Sequence, residues 1–476
     1  MKKAITLLLA AGLLAGAASG VHAADIKAKG IWHNAISFAN RSLEEHDGAD
    51  RMHAATRLRT QIDVIASESL KGVVYFEIGP QNWGKDSDGA ALGNDGKVVK
   101  VRYSYVDWAV PQTSAKVRMG LQNFTLPGFA LPNVVLGGGS SDGAGITISA
   151  QLAQNVGASL FWMRAENDNA SGTYGHHYSD AMDFAGLTLP MTFDGVKVTP
   201  WAMYGFIGRD SFEKAGASGD QKKLLQGLLP LGVSNKTLTG NSLTDRHGDA
   251  WWGGFTAELR LFDPLRLAFD ATYGRVDLGD GVNAKGDAVD VKREGYILSA
   301  LAEYKMESAV PGLTFWYGSG DDANFHDGSE RLPTVHADVK VTSYGFDGTN
   351  FGRAQQVLGT SVDGTWGVVA HLRDISFCEN LKHVVRVAYY QGTNNAENVR
   401  QGMISKPSET VSSMFYMTTA DKAWEANIDS EYKIYKNLSL FVELGYIRMD
   451  LDESLWKKFE ARKNNLKGSM TLRYTF

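Results

Sequence analysis

The chain has a single cysteine, Cys378, among its 476 residues. One cysteine cannot form an intramolecular disulfide or a cysteine-based zinc site, so a disulfide-stabilised scaffold and a zinc finger are both excluded. The chain also lacks an excess of positive charge, because its 48 basic and 53 acidic residues give a formal net charge of −5. It therefore has no general basic field for wrapping nucleic acid, and we expect no nucleic-acid partner.

Long hydrophobic runs are absent beyond the N-terminal segment. No later window holds the roughly 20 consecutive apolar residues that a membrane-spanning helix needs. The N-terminal segment begins with two lysines, continues with an apolar stretch from Ile5 to Ala18 and ends in small residues at Ala23. This order is typical of a secretory signal peptide, so we predict that residues 1–23 are removed on export.

Glycine and aromatic residues are plentiful instead, with 52 glycines in the chain and 11% of all residues aromatic. This composition argues against disorder because it supplies apolar surface to bury and many sites for tight turns. Short segments in which apolar and polar residues alternate recur along the whole mature chain. In residues 56–66, for example, Leu58, Ile62 and Val64 face one side and the polar residues between them face the other.

The spacing of these segments predicts how the strands are connected. Eight short connections, among them Glu68-Ser69 and Pro311-Gly312, alternate with nine long ones, among them residues 277–292 and 320–364. These connections would join about 18 strands, or 16 if two weak segments are misread. The strand lengths are typical of tilted strands that cross a membrane. An exported soluble β-sandwich does not require strict alternation of short and long connections. We therefore predict an all-β fold, a transmembrane antiparallel β-barrel over residues 24–476.

The C-terminal residues resemble the final strand of outer-membrane barrels. Met470, Leu472, Tyr474 and Phe476 alternate with polar residues, and Phe476 is the last residue of the chain. In such barrels a terminal aromatic residue belongs to the signal for the insertion machinery, so Tyr474 and Phe476 are the expected assembly signal. Together with the leader and the alternation, these residues make the chain resemble the trimeric general porins of the Gram-negative outer membrane.

This resemblance implies a location, a function and a set of partners. The expected location is the outer membrane. The expected function is passive diffusion of small hydrophilic solutes and ions, without catalytic residues, enzyme activity or a cofactor. The expected partners are two further copies in a homotrimer, outer-membrane lipids and lipopolysaccharide, and the barrel-insertion machinery. Native mass spectrometry of the detergent-solubilised protein tests the homotrimer, because a monomer mass would contradict it.

The resemblance also implies a third outer loop that folds into the lumen. Residues 116–124, with the sequence KVRMGLQNF, resemble the porin strand that leads into this loop. The loop is then expected over residues 125–144, where two prolines and three consecutive glycines provide the bends. Familiar constriction loops bring several carboxylates, whereas this one offers only Asp142. The acidic half of the constriction is therefore expected to be weak.

With the apolar faces towards lipid, the polar faces of the strands line a wet lumen. The basic residues assigned to the lumen are Arg57, Arg59, Lys100, Arg102, Lys116 and Arg118. The acidic residues assigned to it on the late strands are Glu425, Asp429, Glu431 and Glu443. Basic rings favour anions in a pore and the carboxylates oppose this, so a modest anion preference is expected. Ordinary solvated lumen charges without special selectivity are the alternative.

Three other functions compete with a general porin. A substrate-selective channel requires a line of aromatic residues or a dedicated anion site along the lumen, and Tyr75 and Trp162 are candidates to face inward. An outer-membrane hydrolase requires a serine and a histidine close together near the membrane rim. A structural or adhesive barrel requires a plugged lumen, which a conductance measurement would detect.

Two loops hold residues that could bind a metal, but a solvated polar loop is the simpler interpretation of both. They are His176, His177, Asp180 and Asp183 in one loop and Asp321, Asp322, Asn324, Asp327 and Glu330 in the other. The second set offers the oxygen ligands that calcium prefers, but His326 interrupts the EF-hand spacing, so no metal site is expected. The apolar residues 224–233 either form a short helix that covers the pore mouth or contact another subunit.

Overall fold

The structure is a computed structural model, and it describes most of the predicted mature chain. The described residues are 24–39, 51–96, 98–139, 141–167, 181–208, 211, 224, 226–230, 232–233, 247–283, 285–346, 358–404, 415–456 and 464–476. The predicted signal peptide, residues 1–23, lies outside the described residues.

The described residues form one sheet of 18 antiparallel strands that closes on itself. The strands are β1 (Asp25–Ala39), β2 (Arg51–Ser67), β3 (Leu70–Asn82), β4 (Val99–Ala109), β5 (Lys116–Asn123), β6 (Asp142–Ala153), β7 (Val156–Glu166), β8 (Met182–Thr188 with Met191–Phe193), β9 (Val196–Gly208), β10 (His247–Phe262), β11 (Leu265–Val282), β12 (Ala288–Tyr304), β13 (Val310–Gly318), β14 (Thr365–Cys378), β15 (Leu381–Gly392), β16 (Lys422–Tyr435), β17 (Leu438–Asp450) and β18 (Asn464–Thr475). A short helix, α1 (Glu397–Arg400), lies in the connection between β15 and β16.

Strand β8 counts once although it has two parts. Both parts lie between β7 and β9 and pair with both neighbours. The break contains Pro190, which has no N–H to donate to a neighbouring strand. The barrel closes where β1 pairs with β18, from Ile31 opposite Thr475 to Ala39 opposite Lys467. The prediction of an antiparallel barrel is confirmed, with 18 strands rather than 16.

Two predicted connections were wrong. Pro311-Gly312 lies inside β13, and the turn that precedes β13 is residues 305–309. The long connection predicted at residues 277–292 is reduced to residues 283–287, because β11 and β12 extend through charged residues. A β-bulge between Asp277 and Asp280 lets β11 continue there. Strands that extend beyond the apolar belt carry polar residues, so a hydropathy pattern assigns them to loops.

The two faces of the barrel wall differ in the way that alternation predicts. On β10 and β11, Phe255 and Phe269 are exposed on the outer surface, whereas their neighbours Thr256 and Asp270 are buried inside. The same outer surface carries Trp, Tyr, Leu and Val side chains all round the barrel. The inward face is therefore the polar one, as in barrels that hold water or ligands.

Helices contribute little to the described structure. Among the described residues, no helix is long and apolar enough to cross a membrane.

The last residue completes the seam of the barrel. The N–H of Gly30 donates to the carbonyl oxygen of Phe476 at 2.9 Å, and the N–H of Phe476 donates to that of Gly30 at 3.1 Å. The Phe476 ring lies directly over Gly30, where an added Cβ would come within 2.4 Å of the ring. It also stacks on Tyr474, with ring centroids 5.9 Å apart. The role of Tyr474 and Phe476 in assembly stays a prediction.

We expect deletion of Phe476 to slow barrel assembly, because it removes two hydrogen bonds and a ring contact at the seam. The measurement is the yield of heat-modifiable, folded protein after insertion into lipid vesicles, compared with the full-length chain. A Phe476→Tyr variant is the matched control, since it keeps the ring and the backbone groups. Equal yields from the deletion and the full-length chain would contradict the expectation.

Candidate functional site

The third outer loop, residues 124–141, folds into the barrel. The backbone N–H groups of Phe129, Ala130 and Leu131 donate to the carboxylate of Asp270 at 2.9, 2.8 and 2.7 Å. Asp270 belongs to β11, far from the strands that carry the loop, so the loop crosses the lumen. The predicted inward fold of this loop is confirmed. Asp142, which the sequence placed in the loop, is instead the first residue of β6 at the base of the loop.

A second connection, between β13 and β14, also enters the barrel and joins the third loop. Val335 and His336 donate their N–H groups to the carbonyl oxygen of Val135 at 3.0 and 2.9 Å. Gly137 donates to the carbonyl oxygen of His336 at 3.1 Å. Residues 332–339 are almost entirely buried. We call residues 124–141 together with residues 332–346 the partition, because they divide the lumen.

The apolar segment at residues 224–233 packs against the partition. Among its described residues, Leu228, Leu229 and Val233 are buried, and they belong to the same hydrophobic cluster as partition residues. The carbonyl oxygen of Gly227 accepts from the N–H of Thr334 at 2.8 Å. Of the two alternatives that the sequence left open, this position favours a cover of the lumen over a subunit contact.

Two cavities lie between the partition and the wall formed by β2 to β7. The loop-side cavity has a volume of about 440 Å³. It is lined by Arg59, Glu77, Lys100, Arg102 and Asp142 of the wall and by Leu136 and His336 of the partition opposite. The turn-side cavity has a volume of about 760 Å³ and is lined by Lys71, Asp107, Lys116, Arg118 and Gln122, among others. It also reaches the short turn at residues 68–69. The two cavities follow the same wall and indicate a passage along it.

Carboxylates partly neutralise the basic residues of the loop-side cavity. Arg59 Nε lies 2.6 Å from Glu77 Oε2, and Lys100 Nζ lies 3.8 Å from Glu77 Oε1. Arg102 Nε donates to Asp142 Oδ2 at 2.7 Å, and its guanidinium also bonds the carbonyl oxygen of Gly139. Three basic groups thus face two carboxylates. The sequence singled out Asp142 in the loop but not Glu77, which lies opposite Lys100 on the neighbouring strand.

The turn-side cavity also has a basic excess, because Lys71, Lys116 and Arg118 line it together with the carboxylates of Glu68 and Asp107. Arg118 makes two hydrogen bonds with Asp107, at 2.6 and 2.8 Å, and Lys71 Nζ lies 3.7 Å from the same carboxylate. Within the described structure Lys116 has no ion pair. Arg57, the sixth basic residue singled out in the sequence, lies on the same face of β2 as Arg59 and opposite His33 of β1.

Three tyrosine rings lie beside the arginines of the two cavities. Tyr75 stacks on Tyr103 with ring centroids 4.9 Å apart, and Tyr105 follows at 6.3 Å from Tyr103. The Arg118 guanidinium carbon lies 4.1 Å from the Tyr105 ring centroid, within the range of a cation–π contact. Arg102 lies over the Tyr103 ring at 5.8 Å.

Regular alternation from Val99 and Val101 predicts that Tyr103 and Tyr105 face lipid, and this prediction is wrong. Tyr75 pairs with Tyr103 but Phe76 pairs with Val101, so Arg102 is an extra residue in β4. This β-bulge shifts the alternation by one, and both Arg102 and the tyrosines after it then point inward. Trp162 was also misplaced, because it is exposed on the outer face between buried Phe161 and Met163.

The acidic residues of the late strands do not form an open wall. Glu425 and Glu443 are only 2% and 1% exposed, because partition residues 342–345 cover them. Asp429 accepts from the Ser343 hydroxyl at 2.9 Å, and Glu443 pairs with Lys467 Nζ at 3.2 Å. Lys467 also donates to the carbonyl oxygen of Ser343 at 2.6 Å. The sequence could not show this, because the loop that covers these residues is distant in the chain.

The remaining candidate groups have ordinary structural partners. Glu431 accepts from Arg473 at 3.1 Å, and Asp183 pairs with Arg164 at 2.8 Å. His176, His177 and Asp180 lie outside the described residues. Oxygens of Asp322, Asp327 and Glu330 approach one another on the exposed part of the β13–β14 connection. Glu330 itself is partly buried, and this burial, together with the surrounding aspartates, raises the pKa of its carboxyl group above the ordinary value.

Hydrolase chemistry has little support in the described residues. Residues 139–143 fit a Gly-x-Ser-x-Gly pattern, but the Ser141 hydroxyl donates to the carbonyl oxygen of Phe124 at 2.6 Å. His383 Nδ1 lies 2.8 Å from Ser430 Oγ on the outer face of β15 and β16. Within the described part of the chain no carboxylate bonds to this histidine, so a Ser-His-acid arrangement is not completed.

The architecture now allows comparison with known proteins. The barrel is similar to those of the Occ channels. OccK2 (OpdF) of Pseudomonas aeruginosa, solved with glucuronate, has a TM-score of 0.52 and 13% identity, covering 95% of this chain and 98% of that one. OccAB3 and OccAB2 of Acinetobacter baumannii have TM-scores of 0.51 and 0.52, with 12% and 10% identity. The alignments cover 95% and 96% of this chain and 99% of each of those chains.

At these identities the similarity concerns the fold. A scan against protein-family models found no match, and a search of curated proteins found none either. The structural neighbours are outer-membrane porins rather than enzymes. A closed barrel with an apolar outer surface is consistent with the same location for this chain.

Proposed function

We propose that this protein is an outer-membrane channel selective for small organic anions. The observation that carries the proposal is the row of arginine and tyrosine side chains along the wall that both cavities share. A substrate-selective channel, which the sequence offered as the alternative, therefore has more support than a general porin.

The partition supplies the steric part of selectivity. It fills the side of the lumen next to β10 to β17 and leaves the passage beside β2 to β7. A solute must therefore move along Arg102, Tyr103 and Arg118 rather than through open water. General diffusion would instead be served by a wide lumen with few contacts.

The charges supply the electrostatic part. Both cavities have more basic than acidic side chains, which lowers the barrier for anions and raises it for cations. Glu77, Asp107 and Asp142 keep each arginine paired, so the preference is moderate. A solute carboxylate can compete for the second edge of a paired guanidinium, because the group has five N–H donors.

The tyrosines favour solutes with a planar or ring-shaped body. A flat ring can stack on Tyr75, Tyr103 or Tyr105 while its carboxylate contacts the neighbouring arginine. OccK2, whose fold is similar, was solved with glucuronate, a sugar acid that combines a ring with a carboxylate. The proposed solutes for this chain share that combination.

Planar-bilayer recordings test the proposal. In a potassium chloride gradient we expect a reversal potential that indicates preference for chloride over potassium. With millimolar benzoate added, we expect the chloride current to fall. Benzamide is the matched probe, because it keeps the ring and removes the charge, and it should block much less. A cation-selective channel, or equal block by the two probes, would contradict the proposal that the arginine and tyrosine side chains of the wall determine selectivity. Absence of any conductance would instead favour the structural barrel.

A further inference from the structure

The contact between Asp270 and the third loop has the form of an anion-binding site. Three consecutive backbone N–H groups, from Phe129, Ala130 and Leu131, converge on the two oxygens of one carboxylate. The hydroxyl of Thr256 also bonds this carboxylate, and Asp270 is only 6% exposed. Successive backbone N–H groups in a tight bend form a concave site that attracts anions. Here the anion is the carboxylate of Asp270, a residue of the barrel wall.

A second wall carboxylate holds the other half of the partition in the same way. Glu425 Oε1 accepts from the N–H groups of Tyr344 and Gly345 at 3.2 and 3.0 Å. Its other oxygen accepts from the hydroxyls of Thr342 and Tyr390 at 2.9 and 2.7 Å. Glu425 is on β16 and Asp270 is on β11, so the partition is held at two separate places on the wall.

Other buried carboxylates on the same wall bind side chains instead. Glu303 of β12, which is also 6% exposed, pairs with Arg266 at 2.8 Å and with Arg373 at 2.7 Å. Glu258 of β10 pairs with Arg266 at 2.6 Å. Neither accepts a hydrogen bond from the backbone of the partition in the described structure. Among the described carboxylates of the wall, Asp270 and Glu425 are therefore the ones that bind backbone N–H groups of the partition, and the amide oxygen of Asn427 beside Glu425 adds a bond from the N–H of Ser343 at 3.2 Å.

We propose that Asp270 and Glu425 are positioning residues that set the aperture of the channel by occupying backbone anion sites on the partition. The inference rests on the proposed channel function, because an aperture matters only to a protein that conducts. When the carboxylate is absent, the N–H groups of the loop tip lose their partner and the tip leaves the wall. A small anion with the shape of a carboxylate can then bind these N–H groups and bring the loop tip back to the wall.

Chemical rescue in single-channel recordings tests this inference. Asp270→Ala should raise the conductance in potassium chloride roughly twofold, since the constriction loop no longer holds its position. When formate replaces part of the chloride, the conductance of Asp270→Ala should fall to that of the wild type in the same solution. Glu303→Ala is the matched control, because it removes the same charge from the same wall without freeing loop N–H groups. It should show no formate-dependent restoration.

Proteolysis separates failure of this inference from failure of the channel function. Chymotrypsin should cleave after Phe129 faster in Asp270→Ala than in the wild type, and formate should protect the site, whether or not the barrel conducts. Unchanged cleavage, or a rise in conductance that formate does not reverse, would overturn the inference. Asp270→Asn is the second variant, since it keeps the size and removes the charge. If neither variant assembled while Glu303→Ala did, Asp270 would be needed for folding and the inference would also fail.

Discussion

Reversing the charge of Lys100 is expected to change the channel from anion-preferring to cation-preferring. The Lys100 side chain is 56% exposed in the loop-side cavity, and its ammonium group lies 3.8 Å from the Glu77 carboxylate. Lys100→Glu therefore replaces a largely solvated charge, and the Glu77 carboxylate keeps Arg59 as a partner at 2.6 Å. Two units of charge acting at about 6 Å in water change the energy of a passing ion by about 1.4 kcal/mol, in opposite directions for a cation and an anion, so the permeability ratio should change by about a hundredfold.

The reversal potential in a potassium chloride gradient measures this change. Lys100→Gln is the control and should lie midway, because it removes one unit of charge instead of two. The difference should shrink as the salt concentration rises, since the screening length falls from roughly 10 Å at 0.1 M to about 3 Å at 1 M. A Lys100→Glu channel with the selectivity of the wild type would exclude the loop-side cavity as the filter.

Removing the Arg293 side chain should have the largest effect on stability. Arg293 is fully buried and joins three segments inside the barrel: it donates to the carbonyl oxygens of Gln226 and Leu332 at 3.0 and 2.9 Å and pairs with Asp363. Its Nε also donates to the carbonyl oxygen of Arg331 at 3.3 Å, so Arg293→Met keeps much of the volume but removes a donor from four acceptors. Breaking a buried ion pair from one side typically costs about 3–5 kcal/mol, and we expect a loss of that size.

The measurement is equilibrium unfolding in detergent together with proteolysis of the β13–β14 connection. Arg448→Met is the matched control, because that arginine is 54% exposed and pairs with Asp450, and such pairs contribute about 0–1 kcal/mol. Adding Asp363→Leu to Arg293→Met should recover part of the loss, since it removes the carboxylate that lost one of its two arginine partners, and the other, Arg331, still has Asp321 at 3.3 Å. Equal destabilisation by Arg293→Met and Arg448→Met would contradict a joining role for Arg293.

Much of the barrel could be predicted because its signals are local. Alternation of apolar and polar residues identifies a strand from about ten neighbouring positions, and loop lengths order the strands around the barrel. The signal fails where a local rule is broken. Arg102 inserts one residue into β4 and reverses the faces of Tyr103 and Tyr105, and the charged ends of β11 and β12 resemble loops. A bulge cannot be recognised from the residue types of the strand that contains it.

The candidate site was only partly accessible from the sequence because charge balance depends on neighbouring strands. Arg59, Lys100 and Arg102 could be assigned to the inward face, but their carboxylate Glu77 belongs to β3. Which residues lie side by side depends on strand register, and register follows from pairing along the whole barrel. The acidic residue Glu425 could likewise be assigned to the inward face, but not to a place beneath another loop.

An antiparallel barrel with an apolar outer surface could be predicted from alternation and loop length, because each stretch of chain carries these signals independently. The inward third loop was implied by the resemblance to porins. Where the lumen is filled and where it is open depends on contacts between distant parts of the chain. Residues 124–141 and 332–346 are about 200 positions apart, and they meet because Asp270 and Glu425 hold them by backbone N–H groups. Every non-proline residue has a backbone N–H group, so the pattern of side chains in the sequence does not predict this contact.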